Sequence, residues 1–266
     1  MDVPIFYQMP YWVSGLLFVV VLLGALEAGY RICRWRVRTT GESGRKDEGD
    51  LVLASMYTLL GLVLAFTYAF AVGRADLRKQ AVIDEANAIG TAFLRVGMAP
   101  EPTRTELRTL LLDFARTRVL TAETTGSMDK LRKAHARTLQ AQSKIWPATE
   151  RMVKAKPAGP VEVSIVQSIN EVLDMGTKSR AVHFDRLPGI VLLMLVFIAG
   201  ASVAITGFNA GLSGRMNRWG LTSLVLVLAA VMLVITDFDR PVRGLVQLSQ
   251  RSLEDVIRDM EATLSE

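Results

Sequence analysis

The chain has 266 residues, half of them hydrophobic, a formal net charge of +5 and one cysteine. That length holds one soluble domain of ordinary size plus a few membrane spans. The lone Cys33 excludes an internal disulfide framework and any cysteine-rich metal site. A soluble protein can reach the same apolar content, but here the apolar residues gather into four blocks around about 110 residues of ordinary polar sequence.

The first block is Trp12 to Tyr30, WVSGLLFVVVLLGALEAGY. Roughly 20 apolar residues cross the hydrocarbon core of a bilayer at about 1.5 Å per residue. Its leader, MDVPIFYQMP, carries no Lys or Arg, whereas Arg31, Arg34, Arg36 and Arg38 follow it. A cleaved signal peptide has the opposite polarity, so the block reads as an uncleaved anchor with its N-terminus outside. Glu27 stands four residues before Arg31, the spacing of a helical ion pair.

The second block, Leu51 to Val72, carries Gly61, Ala65, Ala69 and Gly73 at four-residue intervals. Such a ladder of small residues lets helices approach closely in lipid. Phe66 and Phe70 form a parallel aromatic pair, with Thr58 and Thr67 elsewhere around the helix. Two readings stand beside each other: ordinary intramembrane packing, or a ring of aromatics around an axis acting as a dewetting constriction. The helix is expected to continue past Val72. No proline interrupts the run to Gly97, and Ala81, Ala88, Ile89, Ala92, Phe93 and Val96 recur at helical steps.

Pro100 and Pro102 break that run, and Thr103 with Glu106 has the spacing of a capping box. The helix it opens places Leu107, Leu110, Leu111 and Phe114 on one face. A break at Thr125-Gly126 precedes a helix over about Met128 to Ala155, with Leu131, Ala134, Leu139 and Ile145 apolar and Pro147 as a kink. After KPAGP, a helix from about Val161 presents Val166, Ile169, Val172 and Leu173, up to a break at Leu187-Pro188. No period-2 strand pattern occurs. The third block, Pro188 to Phe208, and the fourth, Leu221 to Thr236 with Trp219 as interfacial anchor, complete the spans. The tail repeats an apolar residue at helical steps (Val246, Leu253, Val256, Ile257, Met260, Leu264), an amphipathic helix for the polar domain or the membrane surface.

The fold class expected is therefore an all-α membrane protein with four transmembrane helices, a helical extramembrane bundle between the second and third, and an amphipathic C-terminal helix. Its divisions are 1–50 (first span and basic loop), 51–73 (second span), 74–187 (polar domain), 188–236 (third and fourth spans) and 237–266 (tail). The polar domain has 19 Lys/Arg against 13 Asp/Glu, and the tail 4 against 7. The short loops after the first and third spans are basic, at 31–50 and at Arg215 and Arg218. The positive-inside rule then places both loops in the cytoplasm, and the termini and polar domain outside, the periplasm of a Gram-negative cell.

A search for catalytic chemistry is nearly empty. His135 and His183 lie far apart without metalloprotease spacing, and no nucleophile elbow, phosphate loop or dinucleotide fingerprint is present. The chain reads as a non-enzyme without cofactor or metal and without a nucleic-acid partner. His183 is expected to make an interfacial hydrogen bond.

Three stretches carry a family resemblance: VIDEANAIGTAFLRVGMAPEP after the second span, INEVLDMGTKSRAV before the third, and TDFDRPVRGLVQLSQRSLEDV after the fourth. They resemble a bacterial bestrophin-like group, over roughly residues 12 to 262 and in the same order of elements. Bestrophins are homopentameric anion channels with a hydrophobic neck on the second membrane helix and a large helical domain extending the pore. The resemblance implies a homo-oligomer in a bacterial inner membrane, with the bilayer and anions as partners. Phe66 and Phe70 become neck candidates, with Thr58 a further pore-lining candidate and Glu85 and Asn87 on the extension of the same helix. It also implies a cytoplasmic domain, opposite to the charge pattern. A channel passing anions or small solutes is the leading function; a non-conducting scaffold whose helical domain binds a protein or lipid is the alternative.

Overall fold

A bilayer-spanning helix must satisfy every backbone group internally, and the four apolar blocks do so as uninterrupted helices. The computed structural model describes residues 11–40, 46–119, 128–155, 159–185, 187–213, 217–239 and 249–265. Among them are eight helices: α1 Tyr11–Thr40, α2 Lys46–Val96, α3 Thr103–Arg118, α4 Met128–Ala155, α5 Pro160–Phe184, α6 Gly189–Leu212, α7 Arg218–Phe238 and α8 Arg251–Ser265. Four of these, α1, α2, α6 and α7, are long and apolar enough to cross a membrane. The chain divides into two units, one of residues 1–74 and 186–246, the other of 75–185 and 247–266. The long helix α2 contributes to both.

In the first unit, Phe18, Leu22 and Leu26 of α1 pack with Leu195, Ile198 and Val203 of α6 and with Val225, Met232 and Ile235 of α7. The α1–α6 seam is tight because glycine stands where the backbones meet. A Cβ added at Gly29 would lie 1.9 Å from the Ala204 carbonyl oxygen, and one at Gly207 would lie 2.1 Å from that of Leu26. At Gly211 it would meet Cys33 Cβ at 2.8 Å, so the single thiol is sealed in this seam. The α2 helix joins through Tyr57 to Thr206 at 2.7 Å, through the Asn209 amide donating to Asp50 at 3.4 Å, and through Tyr68, whose ring meets Phe238 edge-on. The expected break before the third span is present. Pro188 is the N-cap of α6, and Asp239 accepts the Leu187 N–H at 3.0 and 3.1 Å. Glu27 accepts from Arg31 at 2.7 Å, the pair its spacing predicts.

The second unit is built on the apolar stripe of α2: Ala81, Ala88, Ile89, Ala92, Phe93 and Val96 are all buried. Against it pack Leu107, Leu111 and Phe114 of α3, Ile145, Ala148 and Met152 of α4, Ile165, Ile169 and Val172 of α5, and Leu253 and Met260 of α8. The tail helix thus packs within this unit and adds an ion pair, Arg116 to Glu261 at 2.7 Å. Its Val246, and the predicted break at Thr125-Gly126, lie outside the described residues. The same holds for the side chain of Leu131.

Two local expectations are overturned. Thr103 and Glu106 form no capping box: Pro102 is the N-cap of α3, and no side chain caps there. Thr103 already lies inside the helix, where its hydroxyl is misplaced for capping. Glu101 instead takes the Thr105 N–H (3.2 Å) and hydroxyl (2.9 Å) together with Arg104 (2.7 Å). Those partners, Arg104 first, hold its carboxyl below the ordinary range, while Glu106 pairs with Arg151. Leu139 is exposed, because the inward face of α4 is Thr138, Ile145, Ala148, Thr149 and Met152. The α4 helix runs through Pro147 without ending.

Candidate functional site

On α2, burial within the first unit is confined to one edge. Leu60, Thr67 and Ala71 are buried, spaced seven and four residues apart, and Thr67 returns its hydroxyl proton to the Val63 carbonyl at 2.7 Å. The other faces are open. Gly61, Ala65, Ala69 and Gly73 are all exposed, and each four-residue step turns the ladder by only about 40° at 3.6 residues per turn. Phe66 and Phe70 stand beside it, 59% and 66% exposed. Thr58 is exposed on the same side, its hydroxyl donated to the Ala54 carbonyl at 2.8 Å. The apolar window of α2 is 11% buried, against 28%, 28% and 39% for α1, α6 and α7. A helix this open has its packing partner elsewhere or faces lipid.

The two candidates on the continuation of α2 part company. Asn87 is exposed beside Asp84, Thr91, Glu171 and Lys178. There Asp84 is held below the ordinary carboxylate range, first by the Gln80 amide and then by Lys178 at 3.3 Å. Glu85 turns inward and is 1% exposed. It receives the Arg118 guanidinium in bidentate fashion, Nε to Oε1 and Nη2 to Oε2 at 2.9 Å.

Arg118 also reaches Ser179 Oγ at 3.3 Å. Beside this pair lies a small open cavity, and both histidines of the chain line it. His183 Nδ1 donates to the Ser179 carbonyl at 2.8 Å, which leaves Nε2 the acceptor of the neutral ring. Burial holds His183 below the ordinary imidazole range; Ser179 and Glu85 oppose the shift, and Arg118 and Arg78 reinforce it. Burial, then Arg180 and Arg118, lower His135. The expected hydrogen bond of His183 is thus present, to its own helix.

Sequence reasoning did not foresee Arg118 as the partner of Glu85, nor the meeting of the two histidines. One signal was available. Residues 81, 85, 89, 92 and 96 share one stripe, and a carboxylate on an otherwise apolar stripe requires a buried cation.

The bestrophin-like domain model matches residues 15–253 of the chain. No curated protein matches it. Among solved structures, the chain is similar to a bacterial bestrophin homologue from Klebsiella pneumoniae. One mutant form gives a TM-score of 0.64 at 11% identity, covering 96% of this chain and 98% of that one. A second mutant gives 0.61 at 12%, covering 96% and 99%. A form phased on zinc gives 0.58 at 12%, covering 96% and 98%. At such identity the likeness speaks for the fold.

Proposed function

The chain belongs to the bestrophin-like family, and from that premise we propose that it is the subunit of a homo-oligomeric membrane channel for anions or other small solutes. The observation that supports this most is the openness of α2. Its small-residue ladder and its Phe66–Phe70 pair lie on adjoining exposed faces. A second copy seated on the ladder would bring α2 helices together around an axis. Phe66 and Phe70 would then form the dewetting neck, with Thr58 and Asn87 along the path. Glu85 stays in its pair with Arg118. Net charge +5 favours anions over cations by concentrating them near the protein. Five copies would match the bestrophins.

Phe66→Ala with Phe70→Ala is expected to raise anion flux several-fold in reconstituted liposomes, because removing two phenyl rings per subunit widens and wets the neck. No protein-dependent flux in either form would overturn conduction. It would leave a non-conducting scaffold, a reading supported by the apolar groove of Trp146, Val153, Val163 and Val166 between α4 and α5.

We place the polar domain outside the cytoplasm. The basic loop of residues 31–50 supports this, and so does the structural employment of two domain-side cations: Arg78 donates to the Asp185 carbonyl at 3.4 Å, and Lys178 pairs with Asp84. In a Cys33→Ser background, Gln140→Cys, exposed on α4, should react with an impermeant maleimide added to intact spheroplasts. Reaction only after lysis would put the domain inside.

A further inference from the structure

The cavity beside the Glu85–Arg118 pair carries an inference that does not depend on conduction. Its walls come from α2, α3, α4, α5, α8 and the residue leading into α8. Of the described charged side chains lining it, Arg118 and Arg180 are cations and Glu85 the one anion, so it is positive before either histidine takes a proton. Glu85 shows what this wall accepts: a carboxylate lies flat on Arg118. Arg180 is left with a marginal 3.5 Å contact to Thr177 Oγ1 and no ion pair, and His135 makes no hydrogen bond, among the described residues. Ser179, 1% exposed, accepts from Arg118 while its own proton has no acceptor among them. The hydroxyl protons of Thr117 and Thr138 go to backbone carbonyls, so neither adds a donor to the cavity.

We propose that this cavity binds a small oxyanion, a carboxylate or a phosphate, on Arg180, His135 and the Ser179 hydroxyl. The donor set fits: a planar guanidinium fork, an imidazole and a buried hydroxyl line the same cavity. Beyond the effect of burial, an anion here offsets the repulsion that Arg180 and Arg118 exert on His135 and that Arg118 exerts on His183. Both rings are held below the ordinary value of 6.5 without it. Binding therefore draws protons onto His135 and His183, and affinity rises as pH falls through the range in which the two rings take them up. The charged groups facing the two rings are Glu85 and Arg78 from α2, Arg118 from α3 and Arg180 from α5; α8 contributes the uncharged Leu253 and the turn before it Gln250.

The test is isothermal titration of the full-length protein in maltoside micelles with acetate and, separately, inorganic phosphate. Acetate runs in two buffers of different ionisation heat count the protons taken up. Expected are saturable binding, proton uptake on acetate binding, at least tenfold weaker binding for Arg180→Gln, and reduced uptake for His135→Gln. Arg116→Gln, at an exposed pair elsewhere, should bind as the wild type does. Heat indistinguishable from chloride at equal ionic strength for acetate, phosphate and phosphatidic acid alike overturns the proposal in the wild type alone, whatever the variants do. Undiminished binding by folded Arg180→Gln overturns it equally. A parallel titration with phosphatidic acid in the same micelles identifies the source: response to the lipid alone makes the oxyanion a headgroup, and response to free phosphate or acetate a soluble ligand.

Discussion

Glu85→Ala is expected to destabilise the second unit by about 3–5 kcal/mol, the scale of removing one partner from a buried ion pair. Glu85 is 1% exposed and the Arg118 side chain 13%, so neither charge has the water that makes surface pairs nearly worthless. Without Glu85, the guanidinium keeps only the 3.3 Å bond to Ser179, with His183 and Arg180 lining the same cavity. Nothing then offsets its desolvation. Thermal denaturation of the full-length protein in micelles should show a midpoint lower by roughly 6–20 °C, at about 2–4 °C per kcal/mol for a unit of this size. Arg118→Ala should cost a similar amount. The double variant should cost less than the sum, since each single change leaves a bare charge and the pair of changes leaves none. Glu85→Leu with Arg118→Met should recover most of the loss, because a well-packed apolar pair replaces a buried ionic one at little cost. Additive single effects, or a shift within 1 °C, would mean the pair is solvated in solution.

The spans were legible because the bilayer imposes a length and a composition that little else in the chain satisfies. The continuation of α2 was legible too: Ala88, Ile89, Ala92 and Phe93 repeat at helical steps, and all are buried. What escaped were pairings between residues distant in sequence. Glu85 stood visibly out of place on its stripe, yet Arg118 comes from 33 residues away by the packing of α3, and no local rule selects it from the domain's other basic residues. Helix starts failed for a related reason. The spacing of Thr103 and Glu106 suits a cap, but Pro102 moves the boundary by one residue and Glu101 takes the Thr105 N–H. The small-residue ladder of α2 shows the limit most clearly. Periodic glycine and alanine tell that a backbone can be approached, not which helix approaches. Within the chain the close approach is made at Gly29, Gly207 and Gly211, leaving the α2 ladder for the assembly proposed above.

That distinction gives the second large effect. Gly207→Leu is expected to abolish the folded membrane unit, seen as loss of the monodisperse peak in micelles. A Cβ there would stand 2.1 Å from the Leu26 carbonyl oxygen and 3.2 Å from the Tyr30 nitrogen, and both are backbone atoms of α1 that no rotamer change can move aside. The helices must separate, and the seam loses dispersion contacts along its length, the main attraction between helices in lipid. Gly29→Leu should do the same from the other side, where the obstacle is the Ala204 carbonyl at 1.9 Å. The milder Gly207→Ala should still cost about 1–3 kcal/mol as overpacking. Gly24→Ala is the control with the opposite sign. Nothing lies within 4 Å of its Cβ, so alanine there adds helix propensity, up to about 1 kcal/mol, without a clash. If Gly207→Ala and Gly24→Ala shift stability in the same direction, the α1–α6 seam is looser than described. If only Gly207→Ala destabilises, the sign separates a glycine that two backbones require from one that the helix merely tolerates.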